Sequence, residues 1–301
     1  MTADTLRSPI TSTLGETLSV QDWPLPSGLL TRGTVVLVHG LGEHIGCYAE
    51  LANCLNRWGF AVRGYDQYGH GEASGTRGDL PQPNQLLDDL ASVIDDTRVR
   101  MDDRLPLLLL GHGLGGLIAA QAVSTQLRQV DGLVLSSPAL AVHVSLWQYV
   151  VLRVLKSVAP QWRLDNRVHP ADLTHDLDAV EAFRNDGLRH GRMSARLGHY
   201  IYTQGSAVQA LAPHWQTPTL LLYAGQDASV DPAGSQQFAQ AAPAGWVTAH
   251  RFPMHFHALF HELERQPIYD TLQQWLWARY PTLALDQPVG RSQLSDDQSG
   301  F

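Results

Sequence analysis

A run of four leucines, Leu107 to Leu110, breaks abruptly into Gly111-His112-Gly113-Leu114-Gly115-Gly116. A short apolar run bounded by glycines is the mark of a central strand. The glycines predict a tight turn, with a helix opening at Leu117. The turn has the frame G-x-S-x-G, in which a strained strand-to-helix elbow lifts a nucleophile to the top of a sheet. Gly111 and Gly115 are the outer glycines of that frame, and the nucleophile position falls on Gly113, which has no side chain.

The flanking sequence predicts the sheet that such an elbow needs. Val35-Val36-Leu37-Val38 is apolar on both faces, as a buried parallel strand must be. Phe60 to Tyr65, Leu133-Val134-Leu135, Thr219 to Tyr223 and Val247 to Phe252 read as further strands, with an earlier one near Leu18-Ser19-Val20. Between them, apolar residues recur at helical spacing at Tyr48, Leu51, Ala52, Leu55 and Trp58, and again at Leu86, Leu90, Val93, Ile94 and Thr97. Ile268, Leu272, Trp275 and Leu276 predict a closing helix. Strands alternating with helices give an α/β class with a mainly parallel sheet flanked by helices.

The rhythm stops at Pro138. From there to about Gly205 no strand-like run is found, and Leu146, Tyr149, Val150, Leu152, Val154 and Leu155 form one strongly apolar helix with Trp147 beside it. The organisation expected is a core of residues 1–137 and 206–285, an inserted helical cap over 138–205, and a flexible C-terminal tail at 286–301.

The net charge is -8 and no Lys/Arg cluster occurs, which argues against a nucleic-acid partner. No run reaches the length of a membrane span. The first sixteen residues carry no basic and apolar leader pattern, so a cytoplasmic enzyme, monomeric or homodimeric, is the expectation. Cys47 and Cys54, on one predicted helix, read as reduced thiols.

Two loops complete the chemistry. Asp227 follows the Thr219–Tyr223 strand, and His257 follows the last strand. Elbow, then Asp, then His is the chain order of the α/β-hydrolase triad. His255 is a rival base, and Asp231 before Pro232 reads instead as a helix cap. The His-x-His at 255 and 257 has no Cys or acidic ligand set beside it, so neither metal nor cofactor is expected.

In this order the blocks resemble the monoglyceride lipase and lysophospholipase-like branch of the α/β-hydrolases, the serine aminopeptidase S33 group. His39-Gly40-Leu41-Gly42-Glu43-His44, the loop Asp66 to Gly75, the elbow, the Asp227 and His257 loops and the cap segment Asp186-Gly187-Leu188-Arg189-His190-Gly191 carry the likeness. The resemblance implies a carboxylic ester hydrolase with His257 as base and Asp227 orienting it. Backbone N–H groups of Leu41 and Leu114 would hold the oxyanion. Gly40, Glu43, His112, Trp147, Tyr149 and Val150 are the expected contacts of a small apolar ester or acylglycerol-like substrate. Transient contact of the apolar helix with a membrane surface is compatible with this reading. The family has Ser at position 113 and often Arg at position 47, in a region that helps hold a polar head group. Gly113 therefore reads as a Ser→Gly inactivation of a working triad, an introduced change being favoured because the partners of the serine are all kept. The alternatives are a natural pseudo-hydrolase that binds an apolar ester or lipid, a water activated directly by His257, and an S33-type peptidase.

Overall fold

A computed structural model describes residues 6–282 apart from 27, 144–145 and 166–167. The tail expected at 286–301 lies outside the described residues. Strands β1 (Leu6–Thr11) and β2 (Thr17–Trp23) form an antiparallel hairpin at one edge. They lead into β3 (Gly33–Val38), β4 (Phe60–Asp66), β5 (Leu107–His112), β6 (Gly132–Ser136), β9 (Thr219–Ala224) and β10 (Val247–Phe252). The eight-stranded sheet has the order β1-β2-β4-β3-β5-β6-β9-β10. β2 meets β4 antiparallel, and every pairing from β4 through β10 is parallel. This is the α/β-hydrolase fold that the resemblance implies.

The uninterrupted apolar runs follow from burial on both faces. Along β5, Leu107 and Leu109 join one core, while Leu108 and Leu110 join the other. The first core is closed by helices α2 (Gln85–Arg100), α3 (Leu114–Ser124), α6 (Ala195–Leu211) and α7 (Pro232–Ala241). The second is closed by α1 (Ala49–Arg57) and α8 (Gln266–Arg279). A pleated strand turns successive side chains to opposite faces, so a strand packed on both sides must be apolar at every position.

Helix α3 starts at Leu114, three residues earlier than the glycines predict. The reason is packing. A Cβ on Gly115 would collide with the carbonyl of Val38, so the glycine that weakens helix propensity is what lets the first turn of α3 lie against β3.

The insertion between β6 and β9 holds α4 (Leu146–Val158), α5 (Leu177–Asn185) and α6, with an antiparallel two-stranded ribbon of β7 (Arg163–Asp165) and β8 (Arg192–Ser194). The sequence predicted no strand here, because three residues are too few to display an alternation. The boundary expected at 205 falls inside α6, which carries Tyr200, Ile201 and Val208 into the main core. Among the described residues no helix is long and apolar enough to cross a membrane.

Candidate active site

The site forms where the loops after β3, β5, β9 and β10 converge at the carboxyl ends of the strands, the usual place for a ligand in an open α/β sheet. Gly113 stands at the β5–α3 turn with φ 54° and ψ -116°. Its N–H donates to Ser136 O at 3.0 Å, and its carbonyl accepts from Leu117 N at 3.1 Å and Ala139 N at 3.0 Å. Glycine reaches this left-handed region freely, whereas another residue carries strain there. A Cβ built on Gly113 would point at His257, 3.2 Å from Nε2, and would lie 3.7 Å from the Gly40 Cα.

His257 is held from behind. Its Nδ1 lies 2.7 Å from Asp227 Oδ2. The other oxygen, Oδ1, accepts N–H bonds from Ser229 at 2.8 Å and Val230 at 2.9 Å. Burial pushes the Asp227 carboxyl up, but His257 and the two backbone donors outweigh it and hold the group below the usual carboxylate range. With Nδ1–H committed to a carboxylate, the lone pair of the neutral imidazole is on Nε2 and faces Gly113. An imidazole so placed can take a proton from whatever oxygen occupies that space.

The His257 loop is pinned by Glu262, whose carboxylate accepts from Phe256 N at 2.6 Å and His175 N at 2.9 Å. The rival His255 points elsewhere, with its Nε2 3.1 Å from Glu264 O. Asp231 caps α7 through Ala233 N at 2.9 Å, as its position before a proline predicts.

Across from His257, the N–H groups of Leu41 and Leu114 have no acceptor among the described residues. The loop bearing Leu41 is shaped by Glu43. Its Oε2 accepts from Gly40 N at 2.9 Å and from Tyr48 OH at 2.6 Å. Its Oε1 is 3.3 Å from Arg189 Nη1, delivered by the cap. Burial alone would raise the Glu43 carboxyl, but Arg189 first, with help from the Tyr48 hydroxyl, drives it far below its ordinary value. Arg189 also lies over the Phe183 ring, 4.0 Å from its centroid. Sequence reasoning placed Glu43 at the substrate and gave Arg189 no role. The structure commits both to each other.

His112 is buried beside the base, its ring centroid 4.5 Å from that of His257 and its Nδ1 3.1 Å from Ser136 Oγ. Burial, then the neighbouring His257, push it down to about 3, so it is neutral near pH 7.

These groups open into a cavity of about 670 Å³ lined by Leu41, Leu114, Leu152, Phe183, Ile201 and Val230 among others. That volume suits a small organic ligand. Gly40, Glu43 and His112 border it; Trp147, Tyr149 and Val150 do not. Trp147 and Val150 are exposed, at 68% and 57%, and Tyr149 stacks on Tyr202 at 4.3 Å. The cause is helical phase. Helix α4 is apolar around much of its girth, so composition cannot show which stripe faces inward. Trp147, Val151, Val154 and Val158 form the outer stripe, and Leu152 on another face reaches the cavity.

The sequence profile of the serine aminopeptidase S33 family matches residues 30–264. The chain belongs to that family. A monoacylglycerol lipase from Mycolicibacterium smegmatis is 28% identical over 250 residues, covering 81% of this chain and 88% of that protein. An uncharacterized abhydrolase domain-containing protein of Dictyostelium discoideum is 27% identical over 91% of this chain, which spans only 29% of that longer protein. Among solved structures, the monoacylglycerol lipase of Paleococcus ferrophilus is 29% identical with a TM-score of 0.76, covering 92% of this chain and 99% of that one. The chain shares its fold with its lipase and esterase neighbours.

Proposed function

We propose that the site binds an acylglycerol-type ester, and that glycine at the nucleophile position leaves this chain able to hold the ester but slow to cleave it. The observation that carries this is the aim of Gly113. A side chain there would meet His257 Nε2, which is backed by Asp227, in the order and geometry of a nucleophile, base and orienting acid. The names of the Mycolicibacterium and Paleococcus relatives supply the substrate class. The apolar part of the cavity wall, with Leu41, Leu114, Leu152, Phe183 and Ile201, supports an acyl chain.

The ester carbonyl sits with its oxygen on the Leu41 and Leu114 N–H groups, which stabilise the charge that develops on it. In the Gly113→Ser variant, the hydroxyl oxygen attacks the carbonyl carbon while His257 Nε2 takes its proton. That proton passes to the leaving alcohol as the ester C–O bond breaks. Water then attacks the acyl carbon and gives a proton to the same nitrogen, and that proton returns to the serine oxygen as the acyl–serine bond breaks and the acid leaves. With glycine, the residual route is direct attack by a water that His257 deprotonates. Residues 138–205 act as the lid over this space, with Arg189 tying it to the loop that carries the Leu41 donor.

Calorimetric titration with monooctanoylglycerol below its micellar concentration tests the reading. One-to-one saturable binding is expected. Leu152→Phe, which fills part of the cavity, weakens it by about tenfold, roughly the value of one or two misplaced methylenes. Trp147→Ala, on the outer stripe of α4, leaves it unchanged. Binding that is unsaturable, or indifferent to Leu152→Phe, defeats the proposal.

A further inference from the structure

Behind the loop that carries Gly40 and Leu41, three side chains from distant parts of the chain come together. His44 and Cys47 flank and occupy the short 3-10 turn Ile45–Tyr48, and Asp186 ends α5 in the cap. One ring nitrogen of His44, the Cys47 sulfur and one Asp186 carboxylate oxygen all lie within 4.8 Å of one another. His44 Nε2 is 2.7 Å from Asp186 Oδ2. His44 Nδ1 is buried with no hydrogen-bond partner among the described residues.

We propose that His44, Cys47 and Asp186 form a site for a zinc-class divalent cation, which bridges the oxyanion-side loop to the cap. The donor set is one imidazole, one thiolate and one carboxylate, the mix that a borderline-soft tetrahedral ion accepts. His-x-x-Cys supplies two ligands from a single turn, a spacing that metal sites use because one turn aims both donors at one point. Asp186 is already oriented, since its Oδ1 accepts the Leu188 N–H at 2.9 Å. Bond lengths of about 2.0–2.3 Å to a tetrahedral ion require ligand separations of roughly 3.3–3.8 Å. The sulfur has to move inward by less than about 1.5 Å, and the His44–Asp186 pair has to open slightly. Binding releases two protons to solvent: the Cys47 thiol gives up its proton as the metal–sulfur bond forms, and the His44 imidazolium, which despite burial Cys47 and Asp186 keep protonated up to about pH 9, gives up one as its nitrogen takes the metal.

The local charge closes. A dication meets one thiolate and one carboxylate, while the adjacent Arg189 guanidinium, 3.5 Å from the Cys47 sulfur, is balanced by Glu43. The fourth position is left to solvent. Because the ligands lie on both sides of the cleft, an ion here staples the cap to the loop that shapes the ester site. The inference stands apart from the ester reading and does not depend on turnover.

Cobalt(II) titration of the reduced full chain reads the site directly, because only a thiolate ligand gives a near-ultraviolet sulfur-to-cobalt charge-transfer band. One equivalent of cobalt produces the band in the wild type and in Cys54→Ser, and zinc bleaches it. Cys47→Ser removes it, and Asp186→Asn weakens binding by about 10–100-fold. Asp186→Asn keeps both donors on the turn, so it tests the site even if Cys47→Ser folds poorly. A band that is absent in the wild type, survives Cys47→Ser, disappears in Cys54→Ser or ignores Asp186→Asn overturns the proposal.

Discussion

Gly113→Ser is expected to raise ester turnover by on the order of 10³–10⁶-fold, since loss of a triad nucleophile costs factors of that size in hydrolases built this way. The geometry explains why one substitution suffices. The Cβ of residue 113 falls 3.2 Å from His257 Nε2. That contact is tight, so the imidazole yields by a few tenths of an ångström, and a staggered hydroxyl then comes within hydrogen-bond reach. The gain has a cost in stability. A serine held at φ 54° and ψ -116° carries strain of about 1–3 kcal/mol that glycine avoids. Gly113→Ser should therefore melt at a lower temperature than the wild type while turning over p-nitrophenyl esters far faster. Adding His257→Ala to the serine variant should return the rate to the glycine level without recovering the melting temperature. A serine variant that folds, binds monooctanoylglycerol and still fails to release acid would leave the hydrolase frame as a binding site only.

Much of this site is legible in the sequence because its pieces are local. An elbow is a five-residue pattern of glycines, and the sheet around it shows through β3, β5 and β9, which have no polar position to confuse the period in their central runs. Asp227 and His257 follow strands whose ends are clear, so their chain order is informative. The failures have one physical origin. Contacts between distant segments leave no local period. Glu43 and Arg189 are 146 positions apart, and His44 and Asp186 are 142 apart, so neither pair is visible until the cap is folded down. Helix α4 misleads for a related reason. Its apolar residues answer to two surroundings, the cavity on one side and the exterior on the other, and a sequence pattern does not label them. The hairpin strand β1 is missed because its six residues include a proline and alternate only weakly.

The pair that the sequence conceals also carries the second large effect. Arg189→Met should destabilise the chain by about 3–5 kcal/mol at pH 7, the cost of leaving one partner of a buried ion pair uncompensated. Glu43 is 4% exposed, and its side chain is 5% exposed against 11% for Arg189, so solvent screens the pair little. Methionine keeps much of the packing on Phe183 but removes the cation, and Gly40 N–H and Tyr48 OH alone remain to satisfy the carboxylate. The pH dependence separates this from a packing loss. In the wild type the folded Glu43 pKa lies below its ordinary value, so its stabilisation is complete above about pH 4.5 and fades as pH falls toward the folded value. In Arg189→Met burial acts unopposed by the guanidinium and the folded pKa rises, so the penalty is relieved as Glu43 takes up a proton. Urea unfolding at pH 7 and pH 5 should show the gap between the two proteins narrowing at the lower pH. Glu43→Gln should abolish that pH dependence, and Glu43→Gln with Arg189→Met should cost less than the two single changes together. A gap that is the same at both pH values would mean that Arg189 contributes its stem and its contact with Phe183, and that its charge on Glu43 is incidental to holding the cap down.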